Sequence, residues 1–151
     1  RVGNGPFPTE LLDSLGDQIR EQGGEYGSTT GRPRRCGWFD AVIIRQSLRL
    51  NGLTSINLTK LDVLTNIPKL KICVSYKKKN THAFYMPPTL EGYEPEYIEM
   101  PGWTEDISAA RKFSDLPKNC QKYVQKIEEL VKVPIHFIGI GQLRSQMIAR
   151  I

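Results

Sequence analysis

The feature that most narrows what this chain can fold into lies near its end. Residues 116–132 put Cys120, Tyr123, Val124, Ile127, Leu130 and Val131 on one side of a helical projection, and an apolar, β-branched run follows at once over residues 134–140. A 3.6-residue period that gives way directly to a strand belongs to a helix packed on a sheet. Pro117 suits the first turn of that helix, where a missing N–H is no loss. The same alternation runs upstream. Residues 9–22 read as a helix, with Leu11, Leu12, Leu15 and Ile19 along one side and Thr9 as its predicted cap. Trp38, Phe39, Val42, Ile43 and Leu50 recur at near-helical spacing over about residues 39–50, and Asn51-Gly52 closes that segment. Strands are predicted over residues 55–58, 70–76, 81–85, 96–100 and 134–140, with a helical turn at 63–67, a lysine-rich hairpin at 77–80 and a loop at 86–92. The expected fold class is α/β: one mixed, partly parallel sheet with flanking helices.

At 151 residues and 39% hydrophobic content, the chain is read as a single region, 1–151, with a real core. Lys and Arg number 21 against 16 Asp and Glu, a net charge of +5. That suits acidic ligands such as nucleotides and is modest for a duplex-DNA binder. Cys36, Cys73 and Cys120 are scattered, without spacing that suggests zinc or a disulfide framework. Cys73 reads as a buried small hydrophobe. With only His82 and His136 available, no metal site is assigned to these residues. No stretch approaches the roughly twenty apolar residues of a membrane span, and the start is not a secretory signal. The reading is cytoplasmic. Arg1-Val2-Gly3 enters a structured-looking motif without an initiator methionine, which reads as a piece of something longer.

Three constellations carry chemistry. Residues 28–35, Ser-Thr-Thr-Gly-Arg-Pro-Arg-Arg, combine hydroxyls, a glycine and three guanidiniums, the composition of a loop that grips carboxylate or phosphate. A solvated basic turn has the same composition. Thr59-Lys60-Leu61-Asp62 stands at a predicted strand end, where open α/β sheets hold ligands. A lysine stem can cover a purine face, and a carboxylate can accept from the N1–H and 2-amino edge of guanine; a Lys and an Asp at a surface strand end is the plain alternative. Gly139-Ile140-Gly141-Gln142 permits close backbone approach to a planar base and equally suits a simple strand exit. Neither glycine motif is a complete phosphate loop.

Together these residues are more specific than any one of them. Arg1-Val2-Gly3 with Gly5-Pro6-Phe7-Pro8-Thr9-Glu10, Thr29-Thr30-Gly31-Arg32 with Arg34-Arg35-Cys36-Gly37-Trp38, Leu58-Thr59-Lys60-Leu61-Asp62, and Pro101-Gly102-Trp103 resemble the carboxy-terminal third of adenylosuccinate synthetase, in order across nearly the whole chain. Cys36 and the 139–142 turn are similar to its eukaryotic members. The resemblance implies a fragment of a larger P-loop-NTPase-like α/β domain, from a GTP- and Mg2+-dependent ligase of purine (AMP) biosynthesis. That ligase joins IMP to L-aspartate, giving adenylosuccinate, GDP and phosphate, and is a homodimer.

Carried over residue by residue, the resemblance implies substrate contacts from Val2, Ser28, Thr29, Thr30, Gly31, Arg32, Pro33 and Arg34. GTP contacts would come from Arg34, Lys60, Leu61, Asp62, Gly139, Ile140 and Gly141. Arg34 would steady charge near the transferred phosphoryl group. The family's phosphate loop, general base, general acid and Mg2+ ligands lie upstream of these segments, so no proton-transfer residue is assigned, and the segment alone is expected to be inactive. Two other classes stand beside this one: a guanine-nucleotide-binding module without catalysis, and a basic nucleic-acid-binding domain using Arg32, Arg34, Arg35 and residues 77–79.

Overall fold

The computed structural model describes residues 1–150. Its elements are α1 (Ser14–Gly23), β1 (Phe39–Asp40), α2 (Ala41–Asn51), β2 (Ile56–Leu58), β3 (Lys69–Lys78), β4 (Thr81–Ala83), β5 (Glu94–Pro101), α3 (Lys118–Val131), β6 (Ile135–Gly139) and β7 (Met147–Ala149). Short 3-10 turns stand at Leu61–Leu64 and Phe113–Asp115. The strands form two mixed sheets where one was expected. In the first, β1 pairs parallel to β3, β4 pairs antiparallel to β3, and β5 also pairs with β3. In the second, β6 lies between a parallel β2 and an antiparallel β7. The chain divides into two compact units, one of Arg1–Gln46 with Lys71–Ile98 and the other of Ser47–Leu70 with Glu99–Ile151.

The first unit departs from expectation at its start. Thr9 does not cap α1: it is fully buried, and its hydroxyl donates to the Trp38 carbonyl at 3.0 Å. Asp13 takes the cap, its carboxylate accepting the Gly16 N–H at 3.2 Å. The helix therefore begins after Leu11 and Leu12, and Leu12 is 89% exposed rather than part of an apolar side. The first ten residues instead run along the 34–38 segment. Antiparallel bridges join Val2 to Cys36 and Glu10 to Gly37, and Trp38 N–H donates to the Thr9 carbonyl at 3.0 Å. Gly24 ends α1 in the left-handed region at φ 57°, a position that favours glycine.

Beyond β1, Asp40 is buried and caps α2 from within the fold. One carboxylate oxygen accepts the Val42 and Ile43 N–H groups at 3.1 and 3.2 Å; the other accepts the Tyr76 hydroxyl at 2.6 Å. Val42, Cys73 and Tyr76 form the core of this unit, with Tyr93 and Tyr97 packed against them. Burial pushes the Cys73 thiol up to about 12, so it acts as a buried apolar group.

The second unit is centred on α3. Cys120, Tyr123, Val124, Ile127 and Val131 are buried on one face, as the sequence period requires. The strand after it, β6, runs beside β2 in the register Leu58↔Ile138. The predicted helical turn at 63–67 is the 3-10 turn at Leu61–Leu64, entered through Lys60 in the left-handed region at φ 57°. β7 has no counterpart among the expected strands: Met-Ile-Ala is too short to show a period, and its place is fixed by Ile148, fully buried opposite Ile138.

Candidate functional site

Two sets of expected site residues fall in separate units. In the first unit, residues 26–33 form a hairpin-like loop closed by a Tyr26–Pro33 bridge, with Gly27 N–H donating to the Arg32 carbonyl at 2.9 Å. Its tip is exposed: Ser28, Thr29, Thr30, Gly31 and Arg32 are open to solvent. Gly31 turns the tip at φ 64°, and its N–H donates to the Gly27 carbonyl at 2.8 Å.

The basic residues at the loop base divide by task. Arg35 is spent on the fold: its guanidinium forks onto one Glu10 carboxylate oxygen at 2.9 and 2.5 Å and donates to the Gly5 carbonyl at 2.7 Å. That fork holds the Glu10 carboxyl below its usual range. Arg34 keeps one Nη1 donor on the buried Glu25 carboxylate at 3.0 Å, while its side chain remains half exposed. A guanidinium carries five N–H donors, so Arg34 retains capacity for a ligand. A cavity of about 340 Å³ opens between Gly3, Asn4, Pro33, Arg34 and Arg35. Val2 stands next to it in sequence, 40% exposed.

In the second unit, the parallel pairing of β2 with β6 brings Lys60, Leu61 and Asp62 beside Gly139, Ile140 and Gly141. A side chain built on Gly139 would meet the Thr59 Cα at 3.5 Å. Leu61 turns inward and is buried, so its side chain serves the core. Asp62 faces a pocket of about 620 Å³ lined also by Thr65, Asn66, Asp106, Ile140, Gly141 and Gln142. Its Oδ1 is shielded from solvent and accepts no hydrogen bond. Desolvation raises the Asp62 carboxyl above its usual range, an effect opposed by its own and Val63's backbone N–H groups and by the charge of Lys60.

A carboxylate on the lining of a polar pocket can accept hydrogen bonds from a ligand that brings donors. Guanine presents two adjacent donors and adenine does not offer that pair. Sequence reasoning missed Thr65, Asn66, Thr104, Asp106, Ser108 and Gln146, the remaining polar lining of this pocket. The one local signal was Asp106-x-Ser108, where the carboxylate caps its own turn by accepting the Ser108 N–H at 2.8 Å.

The lysine run at residues 77–79 forms a hairpin, with Lys79 in the left-handed region at φ 53°. Lys78 donates to the Glu91 carbonyl at 2.7 Å and lies over the Tyr93 ring. Among the described residues no group of three or more His, Cys, Asp or Glu side chains assembles that could hold a metal ion. No helix among them is long and apolar enough to cross a membrane.

Mixed sheets with flanking helices, and a pocket at the ends of the parallel strands β2 and β6, define an α/β protein. The family model described as adenylosuccinate synthetase matches residues 1–148. The chain is 54% identical over 151 residues to the adenylosuccinate synthetase of Moorella thermoacetica, covering 98% of this chain and 35% of that protein. The Syntrophobacter fumaroxidans protein of the same name is 53% identical over 151 residues with the same coverage. The solved structure of fully ligated adenylosuccinate synthetase from Plasmodium falciparum superposes with a TM-score of 0.91 at 44% identity, over 100% of this chain and 37% of that one. The chain belongs to the adenylosuccinate synthetase family, and spans 35% of the length of the curated relatives it matches.

Proposed function

We propose that this chain is the carboxy-terminal third of a GTP-dependent ligase that joins IMP to L-aspartate, and that it supplies the guanine pocket and the aspartate- and IMP-binding loop. The observation that carries this reading is the Asp62 carboxylate, one oxygen of which has no partner, on the lining of a pocket bounded by Ile140, Gly141 and Gln142. In the ionised state its carboxylate accepts the N1–H and 2-amino group of guanine. The Lys60 stem covers the base, and the backbone from Gly139 to Gly141 meets its edge. A base lacking those donors leaves a half-buried carboxylate unsatisfied, which is the basis of selection.

In the proposed reaction the 6-oxygen of IMP attacks the γ-phosphorus of GTP and GDP leaves. The aspartate amine then displaces the phosphate at C6, giving adenylosuccinate. Thr29 and Thr30 donate to the aspartate carboxylates from the exposed loop tip. Arg32 binds both aspartate and the IMP ribose, and the Val2 carbonyl accepts from that sugar. Arg34 uses donors not committed to Glu25 to offset charge near the transferred group. Mg2+ would neutralise the phosphate oxygens from ligands outside the described residues. The whole enzyme is read as a cytoplasmic homodimer, and this segment alone as inactive because the residues that move protons lie upstream.

The test is Asp62→Asn in the full-length enzyme. An amide at this position can donate to the 2-oxo group of xanthine and cannot accept both guanine donors. KM for GTP should rise about tenfold or more, equivalent to at least one lost charge-assisted hydrogen bond, and XTP should become the better substrate. An unchanged GTP-to-XTP preference would remove the guanine assignment.

A further inference from the structure

We propose that Gln146 is a positioning residue for purine selection, because its carboxamide is lodged under Gly141 and sets where the Ile140–Gly141 backbone stands. The inference rests on the guanine reading and adds a residue to it. The turn between β6 and β7 is held from its own far end. Ile140 N–H donates to the Gln146 carbonyl at 2.9 Å, and Gln146 N–H donates to the Leu143 carbonyl at 2.9 Å. The side chain then folds back into the turn. Its Oε1 accepts the Leu143 N–H at 3.1 Å, and its Nε2 reaches the Ser108 carbonyl at 3.5 Å.

The carboxamide occupies the space that a side chain at Gly141 would need: a Cβ built there collides with the Gln146 Oε1, Cδ and Nε2 atoms. A side chain at Gly141 would therefore have to push the Gln146 carboxamide out of its seat and away from the Leu143 N–H. Both residues line the same pocket as Asp62. The wall that faces the base is therefore pinned by a group that need not touch the ligand. A displacement of the order of an ångström at such a wall is enough to weaken alignment severely.

The experiment is kinetic, in the full-length enzyme. Gln146→Ala should raise KM for GTP about fivefold or more by releasing the wall, with KM for IMP and for aspartate changed less than about twofold. Gln146→Met keeps the bulk under Gly141 and should restore part of the GTP affinity, and a urea midpoint for Gln146→Ala close to the native value guards against a variant that merely folds badly. Gly141→Ala should raise KM for GTP by displacing the same carboxamide, and the double variant with Gln146→Ala should be little worse than Gln146→Ala alone, since both changes empty one seat.

A GTP KM unchanged in Gln146→Ala, while Asp62→Asn still shifts preference towards XTP, would overturn the inference and leave the guanine reading in place. Equal rises in all three KM values, or additive effects of the Gly141 and Gln146 substitutions, would also overturn it. Failure of Asp62→Asn to alter base preference would remove the reading on which it rests.

Discussion

Two carboxylates in this chain have opposite relations to pH, and each is set by its neighbours. Glu10 is gripped by the Arg35 fork and titrates below its usual range. Its contribution is therefore present above the ordinary glutamate value of about 4.3 and is lost as pH falls through the lower folded value. Glu10→Gln should flatten the acid limb of a stability profile measured by urea midpoints from neutral pH downward; an unchanged acid limb would show that the fork contributes nothing. Asp62 runs the other way, because desolvation raises its folded value. Its charge opposes folding at neutral pH, and that penalty is relieved as pH falls through the raised value. Asp62→Asn should raise the midpoint of the ligand-free protein at pH 7 while spoiling its proposed use of GTP. Such opposition is the usual mark of a group kept for binding rather than for stability. Thr59-Lys60-Leu61-Asp62 was legible as a strand-end motif, and Asp62 does stand on the lining of a pocket there. Its polar neighbours were not legible: Thr65, Thr104 and Ser108 are far apart in sequence and ordinary in composition, and only the folded chain gathers them into one pocket.

At the level of elements, α2, α3 and the long strands could be anticipated because each carries enough apolar residues to show its period. The start of α1 and the existence of β7 could not. Thr9 is a good capping residue that the fold uses elsewhere, in a buried bond to Trp38, so local propensity lost to tertiary packing. β7 depends on distant partners, and a fork just beyond it is one of them. Arg150 grips both Glu128 oxygens at 2.7 and 3.1 Å and stacks over the Phe113 ring, while Glu128 also accepts the Ile135 N–H at 2.7 Å. One side chain thereby ties α3 to the start of β6 and to the residue after β7. Arg150→Met keeps much of the stem and removes the donors. It should destabilise the protein by about 1–3 kcal/mol, the usual range for stranding a half-buried charged partner, measured by denaturant unfolding; a loss within error of zero would mean solvent replaces the fork freely.

For the whole molecule, the mixed α/β class was readable from the alternation of helix and strand patterns. The division of the strands into two sheets was not, since pairing partners are set by long-range contacts rather than by period. The proposal that function is shared with residues beyond this segment predicts that the chain alone, given IMP, aspartate, GTP and Mg2+, forms no adenylosuccinate in a coupled assay. Detectable turnover would place the proton-transfer groups within it. The two compact units also interleave along the chain: the sequence passes from one to the other after Gln46, after Leu70 and after Ile98. On the ribosome this imposes an order. The first unit has all its parts once residue 98 has emerged, whereas β2 must wait for β6 before its backbone can pair. Synthesis therefore leaves residues 47–70 as the stretch most dependent on residues made later, and a pause or premature stop before β6 would release a chain with one finished unit and one orphaned strand.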